Sequence, residues 1–278
     1  VFGSVSQTAA AFSHENDLND IKTNSWGPPD TARLWDEYAS EIEMAAIEDG
    51  VTNGRGGLGV VYVWAAGNGG LSDRVDYDPF ASSRFTLAIG AVGDDDLAAP
   101  YNEAGASMTA VAHSDGAGRD VVTTTSGGQY TTGFGGTSAA APLAAGAIAL
   151  ALEANPELSW RDVRALIAET SREVGASDGG WTTNAAGYRH SERYGFGAID
   201  AGALVAGTLD WESLPPEVEL VAEAASFVPQ IPDSNAAGRV LMFEIAEDTL
   251  ITETAELVLD VSHGFVGQLE ITLTSPSG

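Results

Sequence analysis

The sequence contains no cysteine and little positive charge, with only 12 lysine and arginine residues in a chain of 278. Without cysteine it forms no disulfide bonds, so its stability must come from a packed core. A chain of this length with 44% hydrophobic residues can bury a core large enough for more than one domain. Because a core of that size needs no disulfides even outside the cell, the missing cysteine does not decide the compartment.

A long hydrophobic run is also missing. The longest apolar stretch, residues 139–152, is expected to be too short to cross a bilayer, so we predict no membrane span. The N-terminus shows neither the charged region nor the cleavage pattern of a signal peptide. We interpret Val1 as a boundary inside a longer protein.

Acidic residues outnumber basic residues by 40 to 12, which gives a net charge of −28. A surface of that sign repels phosphate groups, so nucleic acid and anionic membranes are excluded as expected partners. It suits cationic substrates, calcium or a saline habitat, and charge alone does not separate these three. With Lys22 as the only lysine, the composition favours a marine or halophilic bacterial source.

Apolar runs in the first part of the chain alternate between strand and helix lengths. Residues 60–65 and 85–92 are short runs bounded by glycine and aspartate, typical of buried parallel strands. Residues 33–49 and 139–152 have the length and period of helices, and Ser159 with Asp162 predicts the start of another helix over residues 160–171. The alternation predicts an α/β fold with a parallel sheet covered by helices.

The pattern changes near Asp210. Residues 211–220 (WESLPPEVEL) form a predicted proline-containing connector. Residues 240–245, 255–261 and 268–274 alternate between apolar and polar, which predicts strands of an antiparallel sandwich. We therefore expect two domains, over residues 1–210 and 211–278.

Ser138 is a single hydroxyl at the start of the longest apolar run, in GGTSAAAPLAAGAIAL (residues 135–150). Pro142 fits the first turn of a helix, and a run that is apolar on every side predicts a buried helix. Backbone N–H groups and the positive helix end would favour a developing oxyanion there. The same pattern fits a serine that merely caps the helix, so the local sequence leaves both roles open.

Asn68 follows a predicted strand in WAAGNGG (residues 64–70). The flanking glycines allow a tight turn, from which an amide side chain can project beyond the carboxyl end of the strand. An ordinary turn without catalytic function has the same sequence pattern.

Five segments together resemble one protein family. GTSAAAP (136–142) is similar to the nucleophile signature of subtilisin-like serine proteases, in their kexin and furin branch, and three further matches occur in the family's order: NDIKTNSWGPPD (19–30), VYVWAAGNGG (61–70) and RYGFGAIDA (193–201). VSHGFVGQLEITLTSPSG (261–278) resembles the first strands of the P domain that follows the catalytic domain in this branch. The resemblance implies the C-terminal part of a parallel-sheet α/β catalytic domain, followed by a partial all-β, jelly-roll-like P domain.

The resemblance also implies catalytic roles, with Ser138 as nucleophile and Asn68 as oxyanion donor. Such a serine needs a histidine held by a carboxylate. None of the four histidines stands in the family's His-Gly-Thr context; they are His14, His113, His190 and His263. We therefore expect the catalytic histidine and aspartate to lie before Val1, and this chain alone to be inactive without that upstream part of its own domain.

Substrate recognition follows from the same resemblance. Ser25, Trp26 and Gly27 correspond to the segment that pairs with the substrate backbone, and Asp30 and Asp78 correspond to acids of the primary specificity pocket. Two carboxylates can satisfy both the charge and the forked donors of a guanidinium, which favours arginine over lysine. The residues around both acids depart from the family pattern, and Ser6 stands where furin-type members carry an acid for a more distant basic side chain. We therefore expect peptide or protein substrates with a single basic residue before the cut.

A calcium ion near this pocket is also implied by the resemblance, with Asp30, Asp73 and Glu103 as its ligands. Carboxylate oxygens from separate loops suit Ca²⁺, although three solvated surface acids are an open alternative in so acidic a chain. The family implies a secreted, periplasmic or cell-surface endopeptidase. The competing interpretation is a non-catalytic pseudoprotease or a binding or structural module with the same fold.

Overall fold

The computed structural model describes residues 3–30, 39–178, 180–223, 231–232, 235, 238–245, 252–259, 261, 264 and 269–275. The chain divides into two units, residues 1–214 and 215–278. In the first unit, Trp211 Nε1 and Leu214 N both donate to Asp162 Oδ1, at 2.9 and 2.8 Å. The first residues of the predicted connector therefore pack on the first unit.

The first unit is built on a parallel sheet of four strands, in the order β1-β2-β3-β4. The strands are β1 (Ile21–Asn24), β2 (Val61–Ala65), β3 (Thr86–Val92) and β4 (Met108–His113). Every residue of β2 and β3 is buried. Parallel strands that are covered on both faces have continuous apolar sequences. The strands predicted over residues 60–65 and 85–92 are confirmed by β2 and β3.

Among the described residues, five α-helices accompany the sheet: α1 (Val5–Ser13), α2 (Glu41–Asn53), α3 (Thr137–Ala154), α4 (Trp160–Thr170) and α5 (Ala201–Gly207). Successive side chains of β2 point to opposite faces of the sheet. Val61 and Val63 pack with α3 and α4 in one core, while Tyr62 and Trp64 pack with α1 and α2 in another. The sheet is therefore covered by helices on both faces, as the α/β interpretation predicts.

Helix capping explains two of the helix boundaries. The predicted helix over 160–171 is confirmed, because the Ser159 hydroxyl accepts from Asp162 N and the Asp162 carboxylate accepts from Ser159 N. The prediction of a helix over residues 33–49 needs correction. Residues 31–38 lie outside the described residues, and α2 starts only at Glu41, since Ser40 caps it through the same reciprocal bonds with Glu43.

Helix α3 is longer than the predicted run, with 18 residues. By length and composition alone it could cross a membrane, so the expectation that it is too short was wrong. Its apolar surface has another explanation, because α3 packs against all four strands of the sheet and ten of its residues are buried.

In the part of the chain that the structure describes, two hairpins lie outside the parallel sheet. β5 (Val121–Thr125) pairs with β6 (Gln129–Phe134), and β7 (Thr182–Thr183) pairs with β8 (Arg189–His190). The β5–β6 hairpin is largely exposed and leads directly to the start of α3. It thus connects the end of β4 to the predicted nucleophile.

The strands predicted for the second unit are not formed by its described residues. In 240–245, 255–259 and 269–274 the structure has no strand, and residues 260 and 268 lie outside the described part. Val240, Met242 and Val258 are 84%, 88% and 95% exposed. An alternating sequence forms a strand only when a neighbouring strand pairs with its backbone, and no such partner occurs among these described residues.

Candidate active site

Ser138 is the second residue of α3 and is half-buried. The helix is capped by Gly136, whose φ of 79° favours glycine, and no side chain caps it. Ser138 is therefore not the N-cap, and the simple capping role that its sequence context allowed does not apply. Among the described residues, no group forms a hydrogen bond with its Oγ, while its backbone oxygen accepts from Ser25 Oγ at 3.0 Å.

Asn68 lies beside this helix start, in the turn after β2. Its Oδ1 accepts from Thr137 N at 2.9 Å and from Thr137 Oγ1 at 3.1 Å. Because a backbone N–H can only donate, these bonds fix which end of the amide is the oxygen. Nδ2 has no acceptor within the described part of the chain and remains able to donate, while Oδ1 is bound to the residue that precedes Ser138.

Three side chains that sequence reasoning missed hold the turn before Ser138. Asp115 Oδ1 accepts from Gly136 N at 2.6 Å and from Tyr101 Oη at 2.5 Å, and Ser114 Oγ donates to Gly136 O at 2.8 Å. Partial burial disfavours the Asp115 carboxylate, but these hydrogen bonds outweigh it and lower its pKa. The only sequence signal for this arrangement was the polar pair Ser114 and Asp115, which directly follows the apolar strand β4.

The segment predicted to pair with a substrate follows β1 and is held by aromatic side chains. Trp64 Nε1 donates to Trp26 O at 2.8 Å. The Trp26 ring lies 5.1 Å from Trp64 and 5.3 Å from Phe80 between ring centroids. Because Trp64 belongs to β2, this packing fixes the segment against the sheet next to the serine and asparagine.

Of the two predicted pocket acids, Asp78 lies directly against Gly27. A Cβ on Gly27 would be 2.6 Å from Asp78 Oδ2, so glycine leaves space for that carboxylate. Burial raises the pKa of Asp78 to about 6, aided by repulsion from Asp30 and Asp73, although the backbone N–H groups of Phe80 and Ala81 oppose the shift. Three carboxyl groups that repel one another are therefore concentrated here, as a site for a cation requires.

Asp30, Asp73 and Glu103 form a compact acidic cluster in which one carboxylate oxygen from each lies within 4.8 Å of the others. Asp73 and Glu103 are only 5% and 3% exposed, while Asp30 is exposed. Burial raises the pKa of Asp30, with a further contribution from Asp73 and an opposing hydrogen bond from Asn68 N. Like charges this close favour a bound cation, and an all-oxygen donor set fits calcium.

The turn that carries Asn68 packs directly on this cluster. Gly69 N donates to Glu103 Oε1 at 2.8 Å. A Cβ on Gly67 would collide with the Glu103 carboxylate, and one on Gly69 would collide with Asp73. The glycines on both sides of Asn68 thus allow the turn to lie against the acids. The candidate oxyanion donor, Asn68, is therefore held next to the candidate cation site.

A salt-bridge network fixes the loop that carries Asp73 and Asp78. Arg74 Nη2 lies 2.9 Å from Asp76 Oδ2 and 3.0 Å from Glu192 Oε2. Asp76 Oδ1 also accepts from the backbone N of Ser107 at 3.0 Å. These contacts join the loop to two other segments of the first unit.

No histidine among the described residues contacts Ser138. His14 is exposed at the end of α1, His113 lies 3.0 Å from Asp96, and His190 Nε2 lies 3.1 Å from Met108 O. His263 lies outside the described residues. The described residues therefore bring together the predicted serine, asparagine and acids, but they supply no base for the serine.

The comparisons with known proteins agree on one family. The model of the subtilase family, peptidase S8, matches residues 2–197. A PC3-like endoprotease of Hydra vulgaris is 38% identical over 96% of this chain and 39% of its own length. Neuroendocrine convertase 2 of Drosophila melanogaster is 38% identical over 97% of this chain and 43% of its own length. Kexin of Saccharomyces cerevisiae is 36% identical over 97% of this chain and 34% of its own length.

Solved structures share the fold. The serine protease of Aeromonas sobria superimposes with a TM-score of 0.66 at 24% identity, covering 77% of this chain and 47% of that chain. MycP1 superimposes with a TM-score of 0.55 at 21% identity, covering 77% of this chain and 69% of that chain. At this level of identity the likeness concerns the fold alone.

The chain spans about two fifths of the length of the curated relatives it matches. Those relatives come from animals and a yeast, so they do not support the bacterial source that the composition favours. The match over residues 2–197 and the similarity to kexin and the convertases show that the chain belongs to the subtilase family, in its kexin branch.

Proposed function

We propose that the complete protein is a serine endopeptidase of the kexin type, with Ser138 as its nucleophile and Asn68 as its oxyanion donor. The observation that carries this proposal is the pair of bonds from Thr137 to Asn68 Oδ1. They hold Asn68 Oδ1 on the residue that precedes Ser138 at the helix N-terminus, and they leave Nδ2 able to donate. A donor fixed in advance stabilises the charge that develops on a carbonyl oxygen during acyl transfer.

In this mechanism Ser138 Oγ attacks the carbonyl carbon of the scissile peptide while its proton passes to a histidine. Asn68 Nδ2 donates to the resulting oxyanion, the protonated amine then leaves, and water hydrolyses the acyl-enzyme. We propose that the histidine and its aspartate are supplied by the part of the protein before Val1. The 278-residue chain by itself should then be inactive, because no described histidine contacts Ser138.

The proposed specificity is for arginine immediately before the cleaved bond. Asp30 and Asp78 lie close enough for repulsion to raise the pKa of Asp78, and Gly27 leaves room beside the Asp78 carboxylate. A guanidinium placed there would neutralise the repulsion and could bond both acids. Lysine, with one compact ammonium, satisfies fewer of these acceptors.

Calcium is proposed as a structural cofactor, held by Asp30, Asp73 and Glu103. Bound there, the ion would supply positive charge that cancels the repulsion between the three carboxylates. The residues of this chain do the positioning: Glu103 accepts from Gly69 N, and Asp30 accepts from Asn68 N. The cluster thereby holds the turn that presents Asn68.

The second unit is proposed to be the first part of a P domain with a jelly-roll-like form, on the resemblance of residues 261–278. A kexin-type protease with this architecture would act in the secretory pathway or outside the cell. Both statements rest on the family resemblance and on the names of the relatives.

The test of the proposed function is hydrolysis of peptide amides by the complete protein. Substrates that differ only in arginine, lysine, leucine or glutamate before the cut should be cleaved in the order arginine, lysine and then the others. Ser138→Ala should abolish turnover, whereas Ser126→Ala, in the turn between β5 and β6, should have no effect. A folded wild-type protein that cleaves none of these peptides would instead support the non-catalytic module.

A further inference from the structure

Consecutive backbone groups at the start of α3 are bound by side chains from distant loops. Gly136 N donates to Asp115, Gly136 O accepts from Ser114 Oγ, and Thr137 N donates to Asn68. The proposed reaction explains Asn68. It gives no reason for a carboxylate at the position of Asp115, whose negative charge contributes nothing to binding an oxyanion.

Asp115 is itself anchored to the core. Tyr101 Oη donates to its Oδ1 at 2.5 Å and to its backbone oxygen at 2.8 Å. The Tyr101 side chain packs against the core that contains α3. On the other side, a Cβ on Gly135 would collide with the Asp115 carboxylate, so the carboxylate lies directly against the turn that precedes Ser138.

We propose that Asp115 is a positioning residue for the nucleophile. Its carboxylate holds Gly136 in the left-handed conformation, φ 79°, from which α3 starts. The direction of that first turn determines where Ser138 Oγ lies relative to Asn68 Nδ2. Asp115 acts through Gly136 and not on the reacting atoms, and this inference rests on the proposed function because it concerns the nucleophilic serine.

The hydrogen-bond geometry separates the role of the oxygen from the role of the charge. The donors Gly136 N and Tyr101 Oη both point to the same atom, Asp115 Oδ1. Asparagine can keep a carbonyl oxygen at that place, whereas alanine leaves the two donors without it. If positioning depends on this acceptor, asparagine should restore most of what alanine loses.

The experiment uses the complete protein with wild-type sequence and with Asp115→Ala, Asp115→Asn and Asp96→Ala. Asp96 is the matched control, because it bonds Arg172 and His113 on the surface and has no bond to the start of α3. Active sites are counted by burst titration with a fluorophosphonate, and kcat and KM for an arginyl peptide amide are then expressed per active site. This normalisation removes any effect of misfolded protein.

Asp115→Ala is expected to lower kcat per active site by about 10- to 100-fold with KM unchanged, and to slow the fluorophosphonate reaction in parallel. Asp115→Asn should recover most of this loss, and Asp96→Ala should match wild type. If Asp115→Ala does not fold, Tyr101→Phe is the second test, since it removes one donor from the same contact and should lower kcat in the same direction.

An Asp115→Ala protein with fewer titratable sites but wild-type kcat at each site would overturn the inference, as would a loss confined to KM. An unchanged kcat in Tyr101→Phe would do the same where alanine is not tolerated. These results leave the proposed function intact, because the wild type remains active. A complete wild-type protein that neither reacts with the fluorophosphonate nor cleaves the peptide overturns the proposed function, and this inference with it.

Discussion

Replacing Glu103 by glutamine is expected to affect stability in opposite directions with and without calcium. Glutamine can keep the oxygen that accepts from Gly69 N at 2.8 Å, so the change removes mainly the charge. In chelator it relieves repulsion with Asp30 and Asp73, whose oxygens lie within 4.8 Å, and the variant should be at least as stable as wild type. In calcium the variant has lost a ligand and should be less stable.

The size of the effect follows from linkage. An ion that binds only the native state stabilises it by RT ln(1 + [L]/Kd), which is about 2.7 kcal/mol at a calcium concentration of 100 Kd. For a domain of 150–250 residues this corresponds to a rise in melting temperature of about 5–11 °C. Wild type should show a shift of this order between chelator and calcium, and Glu103→Gln should show much less of it.

The assay is thermal unfolding of the complete protein. It is monitored by calorimetry, once in chelator and once in excess calcium. Glu157→Gln is the control, because Glu157 is exposed in the turn between α3 and α4, away from the acidic cluster and from the Arg74 network. It should respond to calcium as wild type does. If chelator shifts neither wild type nor Glu103→Gln, or shifts both equally, Glu103 is not a ligand of a stabilising ion, and the acidic cluster has another role.

Three further predictions concern the specificity pocket, the oxyanion donor and the carboxylate of Asp162 at the start of α4. Asp30→Asn and Asp78→Asn should each lower kcat/KM for arginyl peptides by on the order of 10-fold or more in steady-state kinetics, because a buried guanidinium loses a charged partner. Asn68→Ala should lower kcat by about 10²–10³-fold with little change in KM, the loss known for one such donor in subtilisin. Asp162→Asn should lower the free energy of unfolding near neutral pH by about 1–3 kcal/mol in denaturant titrations, since it disturbs bonds from Ser159 and Trp211.

The Asp162 prediction also has a pH signature. Burial disfavours its carboxylate, but the hydrogen bonds it accepts outweigh burial and lower its pKa below the ordinary value. A lowered native-state pKa contributes stability above the unfolded-state pKa, about 3.9, which is lost as the pH falls through the native value. Wild type should therefore lose more stability than Asp162→Asn on acidification below about pH 4.

Each of these predictions has a contradicting result. An unchanged preference for arginine in both pocket variants would reject the pocket assignment. An Asn68→Ala protein with normal kcat would remove the asparagine from the mechanism. Equal stability of Asp162→Asn and wild type at neutral pH would mean that the hydrogen bonds at the start of α4 are replaced by water at no cost.

The parts of the fold that could be predicted have local sequence signals. Strands β2 and β3 are continuous apolar runs because helices cover both faces of the sheet, and the start of α4 is visible in the spacing of Ser159 and Asp162. The start of α2 was missed although Ser40 and Glu43 have the same spacing, because the helical period was extended too far toward the N-terminus. The alternating runs after residue 238 predict strands, but the described residues contain no neighbouring strand with which they could pair.

In the site, the sequence identified Ser138, Asn68 and the acids only through family motifs. It did not identify Asp115 and Tyr101, which are 14 residues apart from each other, while Asp115 is 21 residues from the Gly136 that it holds. Contacts at these separations depend on where β4 and the following hairpin place the chain, and no periodic pattern records them. Thr137 is a similar case, because its role as the partner of Asn68 appears only when two distant turns meet.

The most direct test of the central claim is to map the residue in the complete protein that reacts with a fluorophosphonate. The proposed function predicts a single covalent adduct on Ser138, identified by mass spectrometry of the peptides, with no adduct in Ser138→Ala. It also predicts slower labelling in Asn68→Ala, because the phosphoryl oxygen of the reagent, on which negative charge develops, then loses its hydrogen-bond donor. A folded, complete protein in which Ser138 stays unmodified, or in which another serine carries the adduct, would contradict the assignment of Ser138 as the nucleophile.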